Sequence, residues 1–372
     1  MTLRITPIAP IVLVLAAAAA AQAAPTVGVS TFATGGAVGA KAPDSITTGD
    51  GSVWVEYGNG ADSTGASGSS TIVRYSPSGT IQQVYSIAGL VDGLKFNPVT
   101  GMVWVLQNND GNSTLSLINP TTNMVSGPLM YVSPSTTRGF DDVAFLNGKV
   151  FLSFTNPANP ADSVVQTLDQ GNMPSGTLTT TSILTAKDTN PAFSSPSPNP
   201  PDIDSLKSTP SGQLVLTSEG DGQGSAFVTS DGRYTLISNP GTAMQTVTNV
   251  RVSDATGLNA NAMDDVLFPG ATAGTLYVSD TKSNTVYALT LTGLDPNTPI
   301  ISLGSFGEVA LVDPVTGVVG MTLLGDLPAP HGLDFVAETP EPATWPMLLL
   351  GLGGLAVATR WRKSTPASRL AT

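Results

Sequence analysis

The chain has no cysteine and a single histidine among its 372 residues. Without thiols there are no disulfide staples, thiolate metal sites or cysteine nucleophiles, so the fold must stand on its core. With His331 alone, zinc sites of two or three histidines and the HExxH arrangement are impossible. No GxSxG elbow and no Walker loop occurs, and any Ser-His-Asp triad would have to use His331. The GDGQG stretch at 220–224 lies between strand-like segments and reads as a hairpin turn, not a phosphate loop. Positive charge is scarce too. Up to and including Glu341, and past the N-terminal segment, 27 acidic residues face 10 basic ones, a net of −17. Such a surface repels nucleic acid and anionic lipid and attracts cations.

A hydrophobic run long enough for an ordinary membrane-spanning helix is also missing. At the N-terminus Arg4 precedes an apolar stretch from Ile8 to Ala20 and the small-x-small pattern Ala21-Gln22-Ala23, which predicts a secretory signal peptide over 1–23. At the C-terminus the apolar run from Trp345 to Ala358 has 14 residues, against about 20 needed to cross the hydrocarbon. Pro340-Glu341-Pro342 precede it, and Arg360, Arg362 and Lys363 follow, cations that favour the cytoplasmic side.

This order of Pro-Glu-Pro, short hydrophobic helix and basic cluster resembles the PEP-CTERM sorting signal of Gram-negative bacteria. The resemblance implies transient retention in the inner membrane by a short transmembrane helix. It further implies cleavage by exosortase near Pro340-Glu341-Pro342 and release to the cell surface or the extracellular matrix. Nine residues, Ser364 to Thr372, trail the basic cluster, where such signals usually stop sooner. An uncleaved C-terminal anchor is the alternative. The expected organisation is a signal peptide (1–23), a folded body (24–338) and a sorting segment (339–372).

What the body does contain is turn formers and β-branched residues: 39 glycines and 29 prolines in the chain, with abundant Val, Thr and Ser. That mixture predicts many short strands. It also repeats. GSVWV, GMVWV, GKVFL, GQLVL and GTLYV begin at Gly51, Gly101, Gly148, Gly212 and Gly274. Each opens with a glycine suited to a hairpin and carries a large residue at its fourth place: Trp54, Trp104, Phe151, Val215 and Tyr277. These read as packing between neighbouring sheets. Ahead of each lies a second column, DSITT, DGLKF, DDVAF, DIDSL and DDVLF, led by Asp44, Asp92, Asp141, Asp202 and Asp264. Each pair predicts one hairpin, and the segments that follow bring every repeat to about four strands, the content of a propeller blade.

HGLDF at His331 is a sixth copy of the second column, with no glycine hairpin after it. The early segment VGVSTFATG resembles the outer strand of the first repeat, so the two ends are expected to share one composite blade. GEVALVDPVTGVVGMTLLGD is expected to supply the remaining strands. The fold class predicted is an all-β propeller of six blades, with five or seven as alternatives and two β-sandwiches, split near 185–201, as the rival. The HGLDF and DGLKFNP elements are similar to NHL-type and gluconolactonase-like propellers, a likeness of fold.

If the aspartate column forms the innermost strands, Asp44, Asp92, Asp141, Asp202, Asp264 and His331 ring one end of the central channel. Converging carboxylates repel unless some protonate or a cation enters, and Ca²⁺ or Mg²⁺ suits an oxygen-rich cluster. Asp142, Asp204, Asp265 and Asp334 lie close enough to assist. Alternatively, the aspartates cap turns and bind backbone amides. The function expected is non-catalytic: an exported surface or matrix component that binds exopolysaccharide or another surface protein. The alternative is a metal-dependent, lactonase-like hydrolase at the channel mouth, weakened by the absence of glutamate from the aspartate column.

Overall fold

Turn chemistry sets the hairpins. The computed structural model describes residues 24–132, 135–170, 176–189, 202–220, 232–260 and 262–338, whose strands pair antiparallel into six four-stranded sheets. β1 (Thr26–Thr34) comes first in the chain. Blade one follows as β2 (Pro43–Gly49), β3 (Ser52–Tyr57), β4 (Ser69–Tyr75) and β5 (Ile81–Ala88). Blade two is β6 (Val91–Asn97), β7 (Met102–Gln107), β8 (Thr114–Asn119) and β9 (Met124–Met130). Blade three is β10 (Phe140–Leu146), β11 (Lys149–Phe154), β12 (Ser163–Asp169) and β13 (Thr179–Thr185). Blade four is β14 (Asp202–Ser208), β15 (Leu214–Gly220), β16 (Arg233–Ser238) and β17 (Thr246–Arg251). In blades one and three the first hairpin turns on Asp50-Gly51 and Asn147-Gly148, all four at positive φ, the two-residue turn that matches strand twist.

The last two blades are interleaved. Their strands are β18 (Val266–Leu267), β19 (Ala273–Asp280), β20 (Thr285–Thr292), β21 (Ile300–Leu303), β22 (Glu308–Val312), β23 (Val319–Leu324) and β24 (Pro330–Ala337). Blade five runs β18-β21-β22-β23, whereas blade six runs β1-β20-β19-β24 from its outer edge inward. The composite blade is therefore present, with β1 lying on β20 through Val27↔Leu291 and Val29↔Leu289. Two expectations are corrected. DDVLF does not form a hairpin with GTLYV, and GEVALVDPVTGVVGMTLLGD completes blade five, not the composite blade. The hairpin partner of HGLDF precedes it in the chain, as β19.

The physical reason lies in Phe268-Pro269-Gly270. Proline cannot donate to the ladder, and the strand ends after two residues, so no tight turn forms. Gly274 accordingly has a different job from the other glycines of its column. It sits inside β19, where a Cβ would collide with the Val336 carbonyl and the Phe335 ring, so its bare backbone lets β24 lie alongside.

The core lies between blades. Trp54, Trp104, Phe151, Val215 and Tyr277 are all buried, and each belongs to an apolar cluster shared with the next blade around the ring. Phe151 packs with Ile203 and Leu206 of blade four, directly across the 185–201 segment, which rules out two separate sandwiches. No helix among the described residues is long and apolar enough to cross a membrane. The signal helix over 1–23, the anchor helix with Pro340, Glu341, Pro342, Arg360, Arg362 and Lys363, and most of GDGQG lie outside the described residues.

Candidate functional site

Register decides which side chains reach the channel. Ile46, Leu94, Val143, Leu206, Val266 and Leu333 are buried and hold equivalent places on the six inner strands, opposite Val55, Val105, Leu152, Leu216, Ile301 and Val278. Two residues before them stand Asp44, Asp92, Asp141, Asp204, Asp264 and His331. In blades one to four the ladder shifts register between Pro43 and Ile46, Val91 and Leu94, Phe140 and Val143, and Ile203 and Leu206. Such a bulge re-aims the residues inside it.

Asp202 is therefore not the ring residue of blade four. It lies opposite Gly220 at the start of β14, and the ring place belongs to Asp204. The sequence offers both places: DSLKS, starting at Asp204, matches DSITT at Asp44, but Pro201 precedes Asp202 as Pro43 precedes Asp44.

The mouth is a narrow cavity, partly open to solvent, lined by Asp44, Asp92, Asp141, Asp204 and Asp264 together with Asp142, Asp265, Lys95 and Lys207. Gly93 and Gly332 keep it narrow, because a Cβ at either would strike the carbonyl of Asp141 or Asp44 on the adjoining blade. On one side His331 Nδ1 lies 3.2 Å from Asp44 Oδ1 and 2.8 Å from Asp264 Oδ1. These three residues offer ligand atoms that lie within 4.8 Å of one another. On the other side Asn109 donates its amide to Asp92 and, at 3.4 Å, to Asp141 Oδ1.

Crowded burial shifts these groups. Burial, then the Asp141 and Asp44 carboxylates, pushes the Asp92 carboxyl well above the usual carboxylate range. Burial raises Asp264 as well, against the pull of His331. For His331 burial opposes the charge, but Asp264 and then Asp44 outweigh it and hold the imidazolium well above its ordinary value. Behind the ring, Glu56 is fully buried, and neither carboxylate oxygen makes a hydrogen bond. Burial, then Asp44, raises its carboxyl well above the usual range.

The neighbouring aspartates do structural work. Asp142 accepts from Val143 N at 2.7 Å and from Leu206 N of the next blade at 3.0 Å. Asp334 accepts both the backbone N–H and the hydroxyl of Thr48, each at 2.6 Å, and so ties blade six to blade one. Asp265 accepts from Ser205 Oγ at 2.5 Å, Val266 N at 2.7 Å and Leu333 N at 2.6 Å, and it pairs with Lys207. Lys207 also donates to the Leu333 carbonyl, so this buried cation links blades four, five and six beneath the acidic ring. The backbone-binding role thus belongs to this second tier, although Asp142, Asp265 and Lys207 line the cavity as well.

The arrangement is suited to a hard cation. Carboxylate oxygens from several blades converge without enough positive charge to neutralise them, the situation in which Ca²⁺ or Mg²⁺ relieves repulsion. A wider, more open cleft lined by Lys149, Gln170, Thr181, Thr242 and Gln245 among others separates blades three and four elsewhere; among the described residues it has no such convergence.

Residues 338–363 match the PEP-CTERM protein-sorting motif. The motif implies export, processing by exosortase and sorting to the surface. No curated protein matches the chain. Among solved structures, a protein of unknown function from Bacteroides caccae is 11% identical, covering 80% of this chain and 87% of its own, with a TM-score of 0.44. Hydrazine synthase from Kuenenia stuttgartiensis is 11% identical over 74% of this chain and 77% of its own, with a TM-score of 0.42. A protein described as a gluconolactonase is 13% identical over 72% and 94%, with a TM-score of 0.38. These are likenesses of fold.

Proposed function

We propose that this exosortase-sorted propeller is a non-catalytic surface or matrix protein that binds extracellular polysaccharide through a divalent cation held at the acidic mouth. One observation carries the reading: Asp44, Asp264 and His331 bring ligand atoms within 4.8 Å at a mouth also lined by Asp92, Asp141 and Asp204. Ca²⁺ takes six to eight oxygens, so a cation held by a few carboxylates keeps positions for sugar hydroxyls or uronate carboxylates. Bound there, it would supply the positive charge that protonated His331 otherwise brings to Asp44 and Asp264.

The test is retention of the folded body on immobilised exopolysaccharide with Ca²⁺, after chelation and after Ca²⁺ is restored. Binding that disappears and returns supports the reading; binding indifferent to chelator refutes the cation's part in it.

A metal-dependent hydrolase of lactones or sugar derivatives is the second reading. It is favoured by Asp92, a buried carboxyl with raised proton affinity beside Asp141, since displaced pKa values mark acid–base pairs. Turnover on a lactone and ester panel, lost in Asp141→Asn while folding persists, would replace binding by catalysis.

A further inference from the structure

Both ends of the folded body leave from the same end of the composite blade. Thr26 lies opposite Thr292, Thr292 opposite Ala273, and Glu338 N donates to Ala273 O at 2.9 Å. The mouth is at the blade's other end, where Asp280 lies opposite both Thr285 and Pro330. From His331 to Ala337, β24 spans about 20 Å at a rise of ~3.3 Å per residue. Beyond Glu338, six residues (339–344) precede the apolar run that starts at Trp345. Six residues reach at most about 20 Å.

Exposed apolar residues tip several turns on the tail side. The mouth face carries the five ring aspartates, with Asp62 and Asp110 in the loops around them. At the opposite ends of the strands, the turns present Val99 and Val315, each 85% exposed, and Met244, 73% exposed. Lys149 lies on that side, next to the Asn147-Gly148 turn. Those turns also carry Asp50, Asp169, Asp295 and Asp313, so it is the short 339–344 tether leaving at Glu338, and not charge, that brings this face towards a membrane.

We propose that, while the sorting segment is intact, the propeller rests on the lipid headgroup surface with the face bearing Val99, Met244 and Val315, and directs its acidic mouth away from the membrane. The proposal rests on the Trp345–Ala358 run acting as a membrane anchor. The mouth is then open to ligand before the tail is cut. Cleavage near Pro340 takes place close in sequence to the strand that closes the ring, and it leaves Glu338, the last described residue, with the released body.

Because the chain lacks cysteine, single introduced thiols report position cleanly. The variants Val99→Cys and Val315→Cys probe the tail side; Ala66→Cys and Lys282→Cys probe exposed sites in mouth-side loops. Each is made in the chain from Ala24 to Thr372, labelled with a fluorophore and reconstituted into phosphatidylethanolamine–phosphatidylglycerol vesicles holding a headgroup-linked nitroxide quencher. Quenching several-fold stronger at 99 and 315 than at 66 and 282, absent in chains ending at Glu338, is the expected result. Equal or reversed quenching in protein that floats with the vesicles overturns the orientation alone. Failure to float overturns the anchor reading and the proposal with it.

Discussion

Lys207 and Asp265 show how much hangs on single side chains near the channel. Their side chains are only 8% and 6% exposed, so removing the cation leaves a buried carboxylate without its partner. Lys207→Met is expected to cost about 3–5 kcal/mol in denaturant unfolding, while Lys149→Met, at an exposed site, stays within ~0.5 kcal/mol. Similar losses for the two would mean that the buried pair does not hold the inner strands. The mouth itself sets a pH dependence. Asp92, Asp264, Glu56 and His331 all bind protons more tightly folded than unfolded. Their stabilisation is complete below the unfolded values, about 4 for the carboxyls and 6.5 for the imidazole, and is lost as pH rises through the higher folded values. In chelator the melting temperature should therefore fall as pH rises from about 6 to 9, and added Ca²⁺ should restore it. A melting temperature that rises over this range would contradict the assigned shifts.

At the scale of elements, the repeat was legible because both columns obey local rules. A turn glycine, then a strand with a large fourth residue, describes β3, β7, β11 and β15 correctly, and Trp54, Trp104 and Phe151 do pack between blades. Two things were not legible. Asp202 and Asp204 fit the column almost equally well, and only the bulge before Leu206 places the second in the ring. GTLYV looks like its siblings, yet its partner is set by the distant Phe335 and Val336, a tertiary choice that a local pattern does not carry. That difference is measurable. Gly101, at φ 68° with open space around it, should lose about 1 kcal/mol on substitution by Ala. Gly274→Ala, which drives a methyl into β24, should cost about 1–3 kcal/mol. Equal costs would argue that Gly274 is only another turn.

For the whole molecule, interleaving and the shared blade make closure depend on the last described strand. β24 carries His331 to the mouth, offers Leu333 to Lys207 and Asp265, and covers the inner edge of β19. A chain ending at Glu338 should keep the cooperative melt and compact elution of the body, whereas one ending before Pro330 should expose sheet edges and aggregate. Retention of the native melt by the shorter chain would show that the ring closes without its composite blade. Closure also gathers the ring residues from six blades into one mouth, so the proposed cation site requires the complete ring.

Calorimetric titration of Ca²⁺ into the metal-free body, residues 24–338, tests the cation site most directly. The account predicts saturable binding that is lost in Asp264→Asn and kept in Asp202→Asn, since the register puts Asp264 and not Asp202 two places before the buried inner-strand residue of its blade. No binding, or binding that survives Asp264→Asn unchanged, would contradict it.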